Sequence, residues 1–157
     1  MAADEPNRSS MRISPRTLMC GSAFRVGVDP AHTGFEELHD LAVAAHDDVS
    51  LAIGMAGQLT TLAFHSHYRE AVKMASELEV LIDSIGDPTL TVALLYTAAQ
   101  AKWEAGEAGE CRRLVQRVID LADGDPTRGN VMLASPLAWA LSLRGAAGLS
   151  LGLSDWN

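Results

Sequence analysis

The feature that most constrains this chain is a helical unit written twice between Met55 and Pro126. The first copy ends in YREAVKMASELEVLIDSIGDP and the second in GECRRLVQRVIDLADGDP. A shift of 40 residues places Glu70 on Glu110, Ala71 on Cys111, Ala75 on Val115 and Leu78 on Val118. The same shift puts Leu81 on Leu121, Ile82 on Ala122 and Asp83 on Asp123. The apolar members recur at i, i+4, i+7, i+10 and i+11, which is one face of a 3.6-residue helix. Upstream, Met55 falls on Leu95 and Leu59 on Ala99. A fixed period near 40 is the signature of a helical solenoid, in which units unable to bury an apolar face alone bury it on each other.

Both copies close on Gly-Asp-Pro. Gly86 and Gly124 can take the left-handed conformation that ends a helix. Asp87 and Asp125 can accept from the free amides of a following helix, and Pro88 and Pro126 suit a first turn, where an N–H is not needed. The second stop is followed by Thr127-Arg128-Gly129-Asn130, which breaks the pattern. Ser135-Pro136 then offers a new cap and start, so the last long helix is expected from Pro136.

Taken in order, residues 1–33 are polar, punctuated by Pro and Gly, and without period; they read as disordered or irregular, with a short extended piece at Phe24–Val28. Thr33 and Glu36 form a possible capping box for a short helix carrying Phe35, Leu38, Leu41, Ala42 and Ala45. Asp47 or Asp48 caps a second helix to Phe64, with Ala52, Met55, Leu59 and Leu62 inward. His65-Ser66-His67 turns the chain into a third, from Tyr68 to Ile85. A fourth runs from Pro88 to Trp103, a fifth from Glu107 to Ala122 and a sixth from Pro136 to Leu151. The expected fold is all-α: antiparallel hairpins of six helices over residues 34–157, with almost no alternation of the β type.

A net charge of −8 argues against nucleic acid, since phosphate binding needs a basic stripe. The only dense cluster, Arg112, Arg113 and Arg117, reads as a solvated helix face. Cys20 and Cys111 make no spaced pair, and Cys111 takes a core position. Residues 1–12 lack the basic-then-apolar run of a signal peptide. The most apolar window, Leu133 to Leu153, is interrupted by Ser135, Pro136, Ser142 and Arg144, which suits a buried helix rather than a membrane span. A cytoplasmic protein without membrane contact is expected.

No catalytic constellation emerges. Gly148-Leu149-Ser150-Leu151-Gly152 spells a nucleophile elbow, but that motif needs a strand before the serine and a histidine after it; here a helix precedes it and no histidine follows. His32, His39, His46, His65 and His67 show no zinc spacing. Gly54 and Gly57 lack the lysine of a phosphate loop and suit close helix approach. No cofactor or metal is expected, and no enzyme activity. Trp103, Trp139 and Trp156 are candidate anchors for a protein contact.

The sixth helix is apolar nearly all round. Leu137, Ala140, Leu141, Ala147 and Leu151 lie on one side, with Trp139, Leu143 and Leu149 elsewhere. A terminal unit of a solenoid needs a polar outer cap. The array therefore reads as incomplete at its C-terminal end, with self-association or a protein partner covering Trp139, Leu143, Leu149 and Trp156.

HDLAVAAHDDVSLAIGMAGQL, IDSIGDPTL, VIDLADGDPTRGN and SPLAWALSLRG resemble the helical-repeat region of large actinobacterial signalling regulators. These join an adenylate-cyclase-like or helix-turn-helix module to a regulatory ATPase. The resemblance covers residues 34–156 and implies a tetratricopeptide-like solenoid, present as a truncated piece. The family's phosphate loop, cyclase aspartates and DNA-reading helix have no positions here. Two functions follow from it: a non-catalytic protein–protein interaction module of a signalling or transcriptional regulator, or an associated domain or remnant of a nucleotide cyclase or ATPase whose activity lies elsewhere.

Overall fold

The structure is a computed structural model that describes the backbone of residues 5–131 and 135–154 and side chains from residue 11 onward within those ranges. It is all-α: seven α-helices and no strand are found among the described residues. They are α1 (Glu5–Ser22), α2 (Phe35–Ala45), α3 (Asp48–Phe64), α4 (Tyr68–Ile85), α5 (Pro88–Glu104), α6 (Ala108–Ala122) and α7 (Pro136–Ser150).

The caps fall where the residues can make them. Asp47 accepts from the Ser50 amide at 3.0 Å and starts α3. Gly86, at φ +69°, ends α4, and the Asp87 carboxylate then accepts from Thr89 and Leu90 amides at 2.7 and 3.0 Å to start α5. The second Gly-Asp-Pro stops α6 at Asp123 and Gly124, but Asp125 caps only a turn, accepting from Thr127. The next helix waits for Ser135, whose hydroxyl accepts from the Ala138 amide. The Thr33–Glu36 box is not formed: Gly34 is the N-cap of α2. The Thr33 hydroxyl accepts from the Phe35 amide at 3.3 Å and donates inward to the Gln58 side-chain carbonyl, while the Gln58 amide donates to the Pro30 carbonyl at 3.0 Å.

Each helix from α3 to α7 packs on the next, and α1, α3, α5 and α7 form a second series, each against the one before. The 40-residue register is expressed in burial. Ala71 and Cys111, Ala75 and Val115, Leu78 and Val118, and Ile82 and Ala122 are all buried, as are Met55, Leu95, Leu59 and Ala99. Leu81 and Leu121 are both half-buried. Helix α5 lies at the centre: Thr91 to Ala99 are buried without a break.

Order reaches further toward the N-terminus than the pattern predicts. Within the segment expected to be irregular, α1 runs from Glu5 to Ser22 and is followed by 3-10 turns at Ala23–Val26 and Pro30–His32, so Phe24–Val28 is not extended. The stripe that holds α1 is narrow: among its described side chains, Ile13, Thr17 and Cys20 are buried. The spacing is helical, but Ile13 is the only large apolar side chain in it, and Pro15 sits inside the helix. What compensates is close backbone approach. A Cβ on Gly57 of α3 would stand 2.2 Å from the Cys20 carbonyl oxygen and 2.6 Å from Gly21 Cα, so only glycine lets α1 seat there. Gly54 likewise leaves room for Leu38 of α2.

Candidate interaction surface

Helix α7 buries Leu137, Ala140, Leu143 and Ala147 against α5 and α6. That stripe is rotated from the expected one. Leu143, expected on an interaction surface, is a core residue, 5 % exposed. Leu141 and Leu151, expected on the same side as Leu137, Ala140 and Ala147, are exposed, together with Leu149 and Leu153. A helix apolar on every side carries no moment to fix its rotation, so its neighbours decide which side is covered. Leu149, 70 % exposed, does stand free. Trp156 lies outside the described residues.

Trp139 points elsewhere. Together with Phe24, Phe64, Tyr96 and Gln100 it lines a cavity of about 30 Å³, room for one water molecule. Phe24 meets Phe64 edge-on, with ring centroids 6.0 Å apart. The Arg25 guanidinium lies 5.8 Å from the Phe24 ring centre, within cation–π range. Burial pushes the Tyr96 phenol up to about 12, with Arg25 acting weakly in the other direction. The three described residues of the expected surface are therefore not brought together: Trp139 faces an aromatic niche, Leu143 the core and Leu149 the solvent.

The open face of α7 holds Leu141 and Leu149, with half-buried Gly145 between them. Residues at i, i+4 and i+8 stay on one side of a helix, and a glycine in the middle position adds no polar group to the stripe. α7 has a single charged side chain, Arg144, in its fifteen residues. Helix α5, similarly apolar, is covered by α3, α4, α6 and α7, whereas α7 packs on α5 and α6.

The arginine cluster is engaged within the fold. Arg113 of α6 grips both carboxylate oxygens of Glu79 of α4 at 2.8 and 2.9 Å and also contacts Glu110; Arg117 pairs with Asp83. These contacts border an open groove of about 560 Å³ along Gly86, Pro88, Thr91 and Gln116. Both carboxylates hold the Arg113 guanidinium charged, raising its pKa. A guanidinium whose fork is already occupied has little left for a phosphate.

The remaining reactive groups are dispersed. Cys20 and Cys111 are buried free thiols, both pushed up to about 11 by burial. Ser150 ends α7, and its hydroxyl donates to the Ala146 carbonyl at 3.0 Å, as helix-end serines do. Among the described residues no group of three His, Cys, Asp or Glu could hold a metal ion, and no helix is long and apolar enough to cross a membrane.

Sequence reasoning passed over Met11, Leu18 and Met19, which stand exposed on α1. The helical spacing of Ile13, Thr17 and Cys20 was the signal that could have found that helix. Comparison with known proteins yields no matching family, no matching curated protein and no matching solved structure.

Proposed function

We infer that this chain is a non-catalytic helical-repeat module that recognises another protein within a cytoplasmic signalling or transcriptional regulator. The observation that carries this reading is the uncovered side of α7: a helix nearly without charge, packed on α5 and α6 and open at Leu141 and Leu149. Apolar stripes of this kind on a polar protein mark contact sites, and an amphipathic helix laid along one is a recurrent mode of recognition. The repeated burial register and the resemblance of the repeat phrases support a tetratricopeptide-like solenoid as the scaffold. Crosslinking in cells, followed by recovery of the chain, tests the reading. A specific protein should be retained by the wild type and lost when Leu141→Ser and Leu149→Ser are combined. Equal recovery by both forms, or turnover of ATP by the pure chain, overturns it.

A further inference from the structure

Both end helices of the α1–α3–α5–α7 series carry exposed large apolar side chains. On α1, Met11, Leu18 and Met19 stand opposite the buried Ile13, Thr17 and Cys20. On α7, Leu141 and Leu149 stand away from the buried Leu137, Ala140, Leu143 and Ala147. Between them Val43, Val49, Phe64, Tyr68, Val80 and Trp103 are exposed on α2 to α5.

Charge divides the chain in the same way. It carries 20 acidic residues, yet none occurs at 11–28 or at 126–154. Both segments thus lack the carboxylates that give the chain its net charge of −8, and the charges they keep are arginines, Arg12, Arg16 and Arg25 in the first and Arg128 and Arg144 in the second. The cations there are few: on α1, Arg12 is exposed and Arg16 is engaged by Glu37 of α2, and on α7 there is Arg144.

Within one copy α1 packs on α3, α3 on α5 and α5 on α7. A second copy whose α1 lies on α7 would extend that series. We propose that copies of this chain associate end to end, the outer side of α1 in one copy against the open side of α7 in the next. This rests on the reading of α7 as a docking face and names its occupant. The two faces differ, so each bound copy leaves one of each still free, and association does not stop at two. A contact made by single helix faces falls in the small class, below about 1,200 Å², so it is reversible and depends on concentration.

Sedimentation of the full-length chain tests this with Leu18→Glu, Leu149→Glu and their equimolar mixture. Both positions are exposed, 74 % and 70 %, and far-UV circular dichroism of each variant should match that of the wild type. Met19→Glu and Leu141→Glu replace either variant that does not fold. The wild type should gain average mass with concentration and pass the dimer. Each variant alone should stay monomeric. The mixture should form a one-to-one dimer and nothing larger, through the intact α1 of one variant and the intact α7 of the other. A monomeric wild type overturns the proposal. So does a wild type that stops at the dimer while Leu18→Glu dimerises equally well, which is α7 pairing with itself. A monomeric wild type that still retains a foreign protein through Leu141 and Leu149 removes the end-to-end contact and leaves the interaction module standing.

Discussion

Arg113 and Glu79 meet through two parallel hydrogen bonds, 2.8 and 2.9 Å long, across the 34 residues that separate them. The pair ties α6 to α4, two helices that are not consecutive, and Arg117 with Asp83 repeats the tie one turn further along. Arg113 is half-exposed, which limits what the contact contributes. A double-mutant cycle with Arg113→Ala and Glu79→Ala should give a coupling of about 0.5–1 kcal/mol in urea unfolding, and molar salt should reduce it. A coupling independent of salt would mean that the contact is not electrostatic.

The two Gly-Asp-Pro stops should respond differently. Asp87 caps a seventeen-residue helix through two amides, so Asp87→Ala should lower stability by about 1 kcal/mol. Asp125 caps an exposed turn, and Asp125→Ala should leave the urea midpoint within error. Equal losses at both positions would contradict the capping assignment.

Glycines buried between helices should be sharply distinguished from one that is not. Gly57→Ala would force α1 away from α3 and should cost about 1–3 kcal/mol, the range for overpacked cores. Amide exchange in α1 should rise in parallel. Gly109, in the first turns of α6, has open space around its missing Cβ, and Gly109→Ala should stabilise by about 0.4–1 kcal/mol.

Alkaline pH should loosen the fold. Cys20 and Cys111 move from 9.0 to about 11 and Tyr96 from 10.0 to about 12, all chiefly because burial disfavours the charged form. A raised pKa means that the folded chain binds more protons than the unfolded one between those values. Stability is then intact below pH 9 and declines as pH rises through 11 and 12. The urea midpoint should fall over that range, and Cys111→Ala with Tyr96→Phe should flatten the decline once the midpoints are normalised at about pH 8. Below that range, neither thiol should react with a disulfide reagent until the chain unfolds.

How far the structure can be read from the residues depends on how much each pattern leaves to its surroundings. Leu78 and Val118, or Ile82 and Ala122, show their inward side because polar neighbours surround them; α4 and α6 are amphipathic and locate themselves. Helix α7 has no such contrast, and the choice between Leu141 and Leu143 was made by α5 and α6. Helix α1 eluded the pattern for a different reason. Its hold on the core comes from Ile13 and from what Gly57 lacks, and a missing side chain gives no hydrophobic signal. The Thr33 hydroxyl accepts from the Phe35 amide at the start of α2 and donates to Gln58, 25 residues away, a partner that no local pattern names.

The central position of α5 has a consequence for how the chain comes apart. With Thr91 to Ala99 covered on all sides, this helix touches neighbours from both halves of the protein and can be released by neither alone. Its amides should exchange only when everything melts, while α1 and α7 fray beforehand. A chain cut on either side of α5 should yield two pieces that are unstructured apart and regain their shape when mixed.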